Sequence, residues 1–111
     1  DDDLEATIDN LFVSNKKVDG ILSIDNTSGV VALHKALRRG FKVPEKLSII
    51  GFSDDNVLAY TDPKLSTISQ HTFDIGKTSV KLMIDRLQNK SSTAHVTKTI
   101  KTNLILRGTT K

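Results

Sequence analysis

Apolar residues along this chain fall into short groups separated by polar or glycine-containing breaks. Leu4, Ile8, Leu11 and Phe12 are spaced so that they share one face of a helix. Asp2 or Asp3 can cap its start, where acidic residues also suit the helix dipole, and the pattern stops near Ser14 or Asn15. The Asp19-Gly20 turn leads into a short buried strand over 21–24. The polar break Asp25-Asn26-Thr27-Ser28 then precedes a second helix over 30–39. Its predicted face is Val30, Leu33 and Leu37, with Ala32 and Ala36 beside it. Arg38 and Arg39 suit its last turn, and Gly40 suits the position after the cap.

Pro44 forbids continuation of that helix, and the next strand is predicted over 47–52. A glycine inside it, Gly51, implies that another segment or a ligand comes close. Ser53-Asp54-Asp55-Asn56 is a second polar break, 57–60 a helical turn, 61–64 a loop and 65–68 a third strand. Phe73, Gly76, Val80, Met83 and Leu87 recur at helical spacing and predict a third helix over 73–87. Residues 88–94 read as a loop. Residues 96–107 read as one long strand or two, with a bend near Thr102-Asn103. The order is α-β-α-β-β-α-β. The first two strands and the helix between them form a β-α-β unit with parallel neighbours. Short, apolar, β-branched strands suit a sheet covered on both faces. The fold class is therefore α/β.

With 111 residues the chain is one small domain or part of a larger one, and no apolar run is long enough to cross a bilayer. The absence of cysteine excludes disulfides and thiolate metal sites and suits a cytoplasmic protein. The net charge is +3, but the 16 Lys and Arg are spread along the chain without aromatic interleaving. Solvated surface charge is the better reading than direct contact with DNA. The acidic start at Asp1, Asp2 and Asp3 is unlike a signal peptide.

In an open parallel sheet, ligands bind beyond the carboxyl ends of the strands. Two such ends deliver Asp25-Asn26-Thr27 and Ser53-Asp54-Asp55-Asn56 to one edge, and Gln70 follows the third strand. Short carboxylate, amide and hydroxyl side chains of this kind hold neutral polyhydroxyl ligands. Each group also has a plainer reading. Asp25 and Asn26 can simply cap the second helix, and the residues from Ser53 to Asn56 can be an ordinary loop. Phe52 and Phe73 could stack on a sugar, but both read mainly as core. His34 reads as a surface or interface residue, and His71 and His95 as solvated. No phosphate loop, nucleophile elbow or His-Glu-X-X-His is present, so an enzyme is not expected, and neither a cofactor nor a metal is implied.

Several runs together resemble the lactose-repressor/galactose-repressor (LacI/GalR) family of bacterial transcriptional regulators. They are Asp19-Gly20-Ile21-Leu22-Ser23-Ile24-Asp25-Asn26, Gly40-Phe41-Lys42-Val43-Pro44-Glu45-Lys46-Leu47-Ser48-Ile49-Ile50-Gly51-Phe52, Pro63-Lys64-Leu65-Ser66-Thr67-Ile68-Ser69-Gln70, and Leu104-Ile105-Leu106-Arg107-Gly108-Thr109. Ile75-Gly76, followed by Leu82, Asp85, Arg86 and Leu87, resembles the family's helix between the last two runs. The resemblance covers nearly the whole chain in unbroken order. It implies an incomplete periplasmic-binding-protein-like (type I) lobe, the parallel-sheet half of a ligand-sensing core behind a helix-turn-helix DNA reader absent from this chain.

On that resemblance, residues 1–70 belong to the C-terminal lobe, 71–101 are a crossover helix and strand of the N-terminal lobe, and 102–111 return as a strand and tail. It carries ligand contact onto Asp25, Ser53 and Gln70, with Ser53 standing where the family usually has Asp, so that Asp54 can take over. Thr72 stands where some members place an aromatic or apolar residue. The implied partners are a small effector, a carbohydrate, and a second copy of the chain, meeting through His34, Leu58 and Tyr60. DNA is reached only through the missing reader, and no membrane is involved. The alternative of the same architecture is a periplasmic solute-binding protein of a sugar transporter.

Overall fold

The computed structural model describes residues 2–14, 17–54, 58, 60–88 and 95–111. The elements are α1 (Asp2–Ser14), β1 (Gly20–Leu22), α2 (Ser28–Arg38), β2 (Ser48–Phe52), β3 (Ser66–Ser69), α3 (Thr72–Gln88) and β4 (Asn103–Ile105). Their order is the one the apolar pattern predicts. The strands form one sheet in the order β1-β2-β3-β4. β1, β2 and β3 run parallel, with Gly20 opposite Ser48 and Ile50 opposite Ser66. β4 is antiparallel to β3, with Ile105 opposite Thr67. The sheet is therefore mostly parallel, in line with the expected α/β class, with β4 antiparallel at one edge.

α2 lies directly on the sheet because small residues let it approach. Its buried side is Gly29, Ala32, Leu33 and Ala36, whereas Leu37, predicted on that face, is 38% exposed. A Cβ built at Gly29 would stand 2.8 Å from the Ser23 hydroxyl and 3.2 Å from Gly51 Cα. One built at Gly51 would stand 3.1 Å from a Leu65 methyl. The crowding expected at Gly51 is thus the helix and Leu65 together. α2 ends as predicted: Gly40 has φ +79°, its N–H donates to Leu37 O, and the Phe41 N–H donates to Ala36 O. These two bonds satisfy carbonyls left over by the last turn.

α1 forms a second layer on α2. Ile8 and Phe12 are buried, and the Phe12 and Phe41 rings sit 5.1 Å apart. Around them, Lys35 bridges Glu5 and Asp9 at 2.8 Å each, and Arg39 reaches Asp9 at 2.8 Å. Lys35 holds both carboxyls below their ordinary range, and Asp9 in turn raises Lys35. Asp3 lies inside the helix rather than at its cap, and the capping expected of Asp2 falls on a side chain outside the described residues.

Other boundaries differ from the pattern. β1 stops at Leu22, Ile21 is half-buried, and Leu22 and Ile24 are exposed, so the buried strand expected over 21–24 is shorter and more open than the pattern implies. The long strand expected over 96–107 is reduced to β4, starting where the bend was predicted. The sheet face away from α2 is open: Ile50, Phe52 and Ile68 are half-buried, and Leu22 and Leu104 are exposed. α3 has no buried residue at all, and Phe73, Val80, Met83 and Leu87 are exposed. Its stripe has the right spacing but no partner, which corrects the reading of Phe73 as core. Leu58 is 4% exposed within the core, so its side chain is not available to an interface. Gln88 closes α3, the remaining 89–94 of the predicted loop lie outside the described residues, and so do two of the four residues of the turn predicted over 57–60.

The C-terminal tail locks the sheet. Thr109, fully buried, donates its hydroxyl to Ile49 O at 2.6 Å and accepts the Ser66 N–H at 2.8 Å. Its carbonyl accepts the Ile49 N–H at 2.9 Å. Replacing Thr109 by Val keeps the shape but orphans the Ser66 amide and the Ile49 carbonyl. We expect a loss of about 1–3 kcal/mol in denaturant melts. Gly29→Ala should cost a similar ~1–3 kcal/mol by overpacking. Adding Ser23→Ala should recover only part of that loss, since the contact with Gly51 Cα remains.

Candidate functional site

β1, β2 and β3 end on one edge of the sheet, and the candidate residues follow those ends. Asp25 lies between β1 and α2. Its Oδ1 accepts the Thr27 and Ser28 amides at 2.7 Å each, and its Oδ2 accepts the Ser28 hydroxyl at 2.5 Å. Thr27, the N-cap of α2, makes no side-chain cap bond itself, so Asp25 does this work from two residues upstream. Ser28's hydroxyl and amide, with the Thr27 amide, hold the Asp25 carboxyl below its ordinary value. The capping reading of Asp25 is thus realised in its bonds. Asn26 is exposed beside it.

At the end of β2 the two adjacent residues diverge. Ser53 is buried at 3% exposure and lines a cleft of about 290 Å³. Asp54 also lines it, but both its oxygens are engaged: Oδ1 accepts the Gln70 amide and Oδ2 the Thr72 amide, each at 2.8 Å. Burial raises the Asp54 carboxyl, but the Ser69 hydroxyl and the Thr72 and Gln70 amides outweigh it and hold it below its ordinary range. Asp55 and Asn56 lie outside the described residues.

The rest of the cleft comes from β3, the start of α3 and the segment around β4: Thr67, Ser69, His71, Thr72, Phe73, Asp74, Ile105 and Arg107. Thr67 and Ser69 alternate onto the same face of β3. Arg107 is fixed by its Nη1, which donates to Leu65 O at 2.7 Å and to Thr67 Oγ1 at 2.9 Å. Phe73 is 81% exposed at the rim. Of the predicted contacts, the cleft brings together Ser53 and Asp54. Asp25 and Gln70 do not line it, and Gln70 enters only through its backbone amide. Alternation along β3 could have pointed to Thr67 and Ser69. Nothing local marks Arg107, whose partners are 40 and 42 residues away.

Hydroxyls, one imidazole, one tethered guanidinium and an open aromatic face can hydrogen-bond and stack on an uncharged polyol. Among the described residues no group of three His, Asp or Glu could hold a metal, and no helix is long and apolar enough to cross a membrane.

Comparison with known proteins bears on this edge. A family model described as a periplasmic binding protein-like domain matches residues 3–110. The ribose operon repressor of Bacillus subtilis is 38% identical over 82 residues, covering 74% of this chain and 25% of the repressor. The transcriptional repressor CytR of Escherichia coli is 40% identical over 83 residues, covering 72% of this chain and 23% of CytR. This chain therefore spans about a quarter of these relatives, which are transcriptional repressors and not enzymes. A solved complex of the transcriptional regulator CelR with cellobiose superposes with a TM-score of 0.88 at 25% identity, covering 97% of this chain and 33% of CelR.

The Asp25 cap gives a signed pH test. Its carboxyl is held low in the fold, so its contribution is full above the ordinary aspartate value of 3.8 and is lost as pH falls through the lowered one. Asp25→Ala should cost about 1 kcal/mol at neutral pH. It should also flatten the acid limb of stability, read from melts between neutral pH and pH 2.

Proposed function

The chain belongs to the periplasmic binding protein-like family of LacI-type transcriptional regulators, and from that premise we propose that it is the ligand-sensing part of such a regulator. The effector is a carbohydrate or carbohydrate derivative. The observation that carries this reading is the cleft at the carboxyl edge, which Ser53, Ser69 and His71 line together with the exposed Phe73. CelR, whose fold this chain shares, is solved with cellobiose. Arg107 in the cleft already donates to Leu65 O and Thr67 Oγ1, and the carboxylates of Asp54 and Asp74 line the same cleft, which favours a neutral ligand over a phosphorylated one.

In the whole regulator, residues 2–70 form one lobe. α3 and 95–101 belong to the other, and 102–111 return to the first. Support comes from the bare stripe of α3 and from β4, which pairs back onto β3. The ligand closes the lobes and favours one orientation, which a dimer passes to DNA readers elsewhere in the cytoplasmic protein. Only a difference in affinity between the two orientations can do this. Tyr60, 86% exposed, and His34, also exposed, are the residues placed to meet the second copy. Names of the relatives favour regulation over solute transport.

The test is a thermal-shift titration with cellobiose, ribose, their phosphates and nucleosides. A ligand of the native state raises the midpoint by mass action. A saturable rise with a neutral sugar or nucleoside, weakened about tenfold or more by Phe73→Ala, is expected, since losing a stacked ring costs roughly 1–2 kcal/mol. A response to the phosphates alone, or one indifferent to Phe73→Ala and Ser53→Ala, would sink this reading.

A further inference from the structure

His71 joins β3 to α3 with φ +56°, the one non-glycine residue at positive φ among those described. A side chain there crowds its own backbone, and glycine is the residue that adopts this conformation without penalty. Nothing about a histidine requires it, so the surroundings must impose it. They do so from both sides. Asp54 Oδ1 takes the amide before His71, from Gln70, and Oδ2 takes the amide after it, from Thr72, both at 2.8 Å. The His71 amide itself reaches the Ser69 hydroxyl at 3.3 Å. The His71 carbonyl accepts the Ile75 N–H at 3.0 Å, which begins the helix.

We propose that Asp54 is a positioning residue: its two oxygens grip the amides flanking His71, keep that residue left-handed, and so set the direction in which α3 leaves the sheet and carries Phe73 over the cleft. Asp54 lines the cleft, but each of its oxygens accepts a backbone amide, so its first task is to hold the chain. A carboxylate suits this task better than an amide, since both its oxygens accept. That Phe73 faces a ligand rests on the effector reading above; the grip on His71 does not.

The test is a double-mutant cycle in the purified protein, read by thermal midpoint and by hydrogen exchange at the Gln70 and Thr72 amides. Asp54→Asn should lower the midpoint by several degrees and speed exchange at both amides by about tenfold or more, as local opening becomes easier. In a His71→Gly background the same change should cost clearly less, because glycine keeps φ +56° without being held. His71→Ala should give no such relief, since it removes the imidazole but keeps the crowding. If Asp54→Asn unfolds the chain, the His71 single variants decide. His71→Gly should leave the midpoint equal to or above that of His71→Ala, and the reverse order overturns the proposal. Equal losses in the histidine and glycine backgrounds also overturn it. No arm contains a ligand, so failure to find an effector leaves this result standing.

Discussion

The arrangement depends on one close approach, the backbone of α2 at Gly29 set against the backbone of β2 at Gly51. Neither position tolerates a side chain without displacing a neighbour. The approach brings the first turn of α2 to the carboxyl edge of the sheet and leaves room above Ala32 and Ala36 for α1. It also explains why the buried side of α2 is made of small residues, with Leu33 the one large side chain among them. The ion pairs of Lys35 and Arg39 with α1 are half-exposed, so packing of Ile8 and Phe12 carries that layer more than charge does.

The order of elements, the fold class and the crowding at Gly51 were legible in the sequence. Each rests on local features: period, breaks, and a glycine inside an otherwise branched strand. Strand ends shifted because an apolar pattern does not mark where hydrogen bonding stops. Ile24 is apolar and adjacent to β1 yet exposed, while Ser23 beside it is polar and buried, its hydroxyl without a partner. Periodicity also says which residues share a face, not whether that face has a neighbour. This is why the stripe from Phe73 to Leu87 could be read correctly as helix and Phe73 wrongly as core. The tail network was illegible for a different reason. Thr109 acts on Ser66 and Ile49 across 43 and 60 residues, and no short-range spacing encodes that.

At the candidate site the sequence pointed to the carboxyl edge of the sheet, where the structure places a cleft lined by Ser53 and Asp54. Asp25, Asp54 and Gln70 were singled out for groups that could bind a ligand. In the structure both carboxylates bind backbone, Asp25 at the start of α2 and Asp54 at the amides of Gln70 and Thr72, and Gln70 enters through its backbone amide. Of the other residues lining the cleft, Ser69 lies just past the predicted strand, and the sequence alone reads His71 as solvated and Phe73 as core. Short polar side chains at strand ends are wanted both by ligands and by loose backbone amides, and only their geometry separates the two uses.

α3 contains 17 residues and buries none of them, and residues 98–100 share a cleft with Ile75, Thr78, Ser79 and Leu82, so its course is that of a beam whose direction is set at its first turn. At 1.5 Å per residue it is about 25 Å long. A tilt of roughly 10° at its first turn would displace its far end by about 4 Å, large against the sub-ångström adjustments that close side-chain contacts around a small molecule. The junction at His71 is the fulcrum of that beam. A stiff fulcrum returns a faithful, amplified copy of small movements in the cleft, whereas a loose one would dissipate them before they reached Gln88.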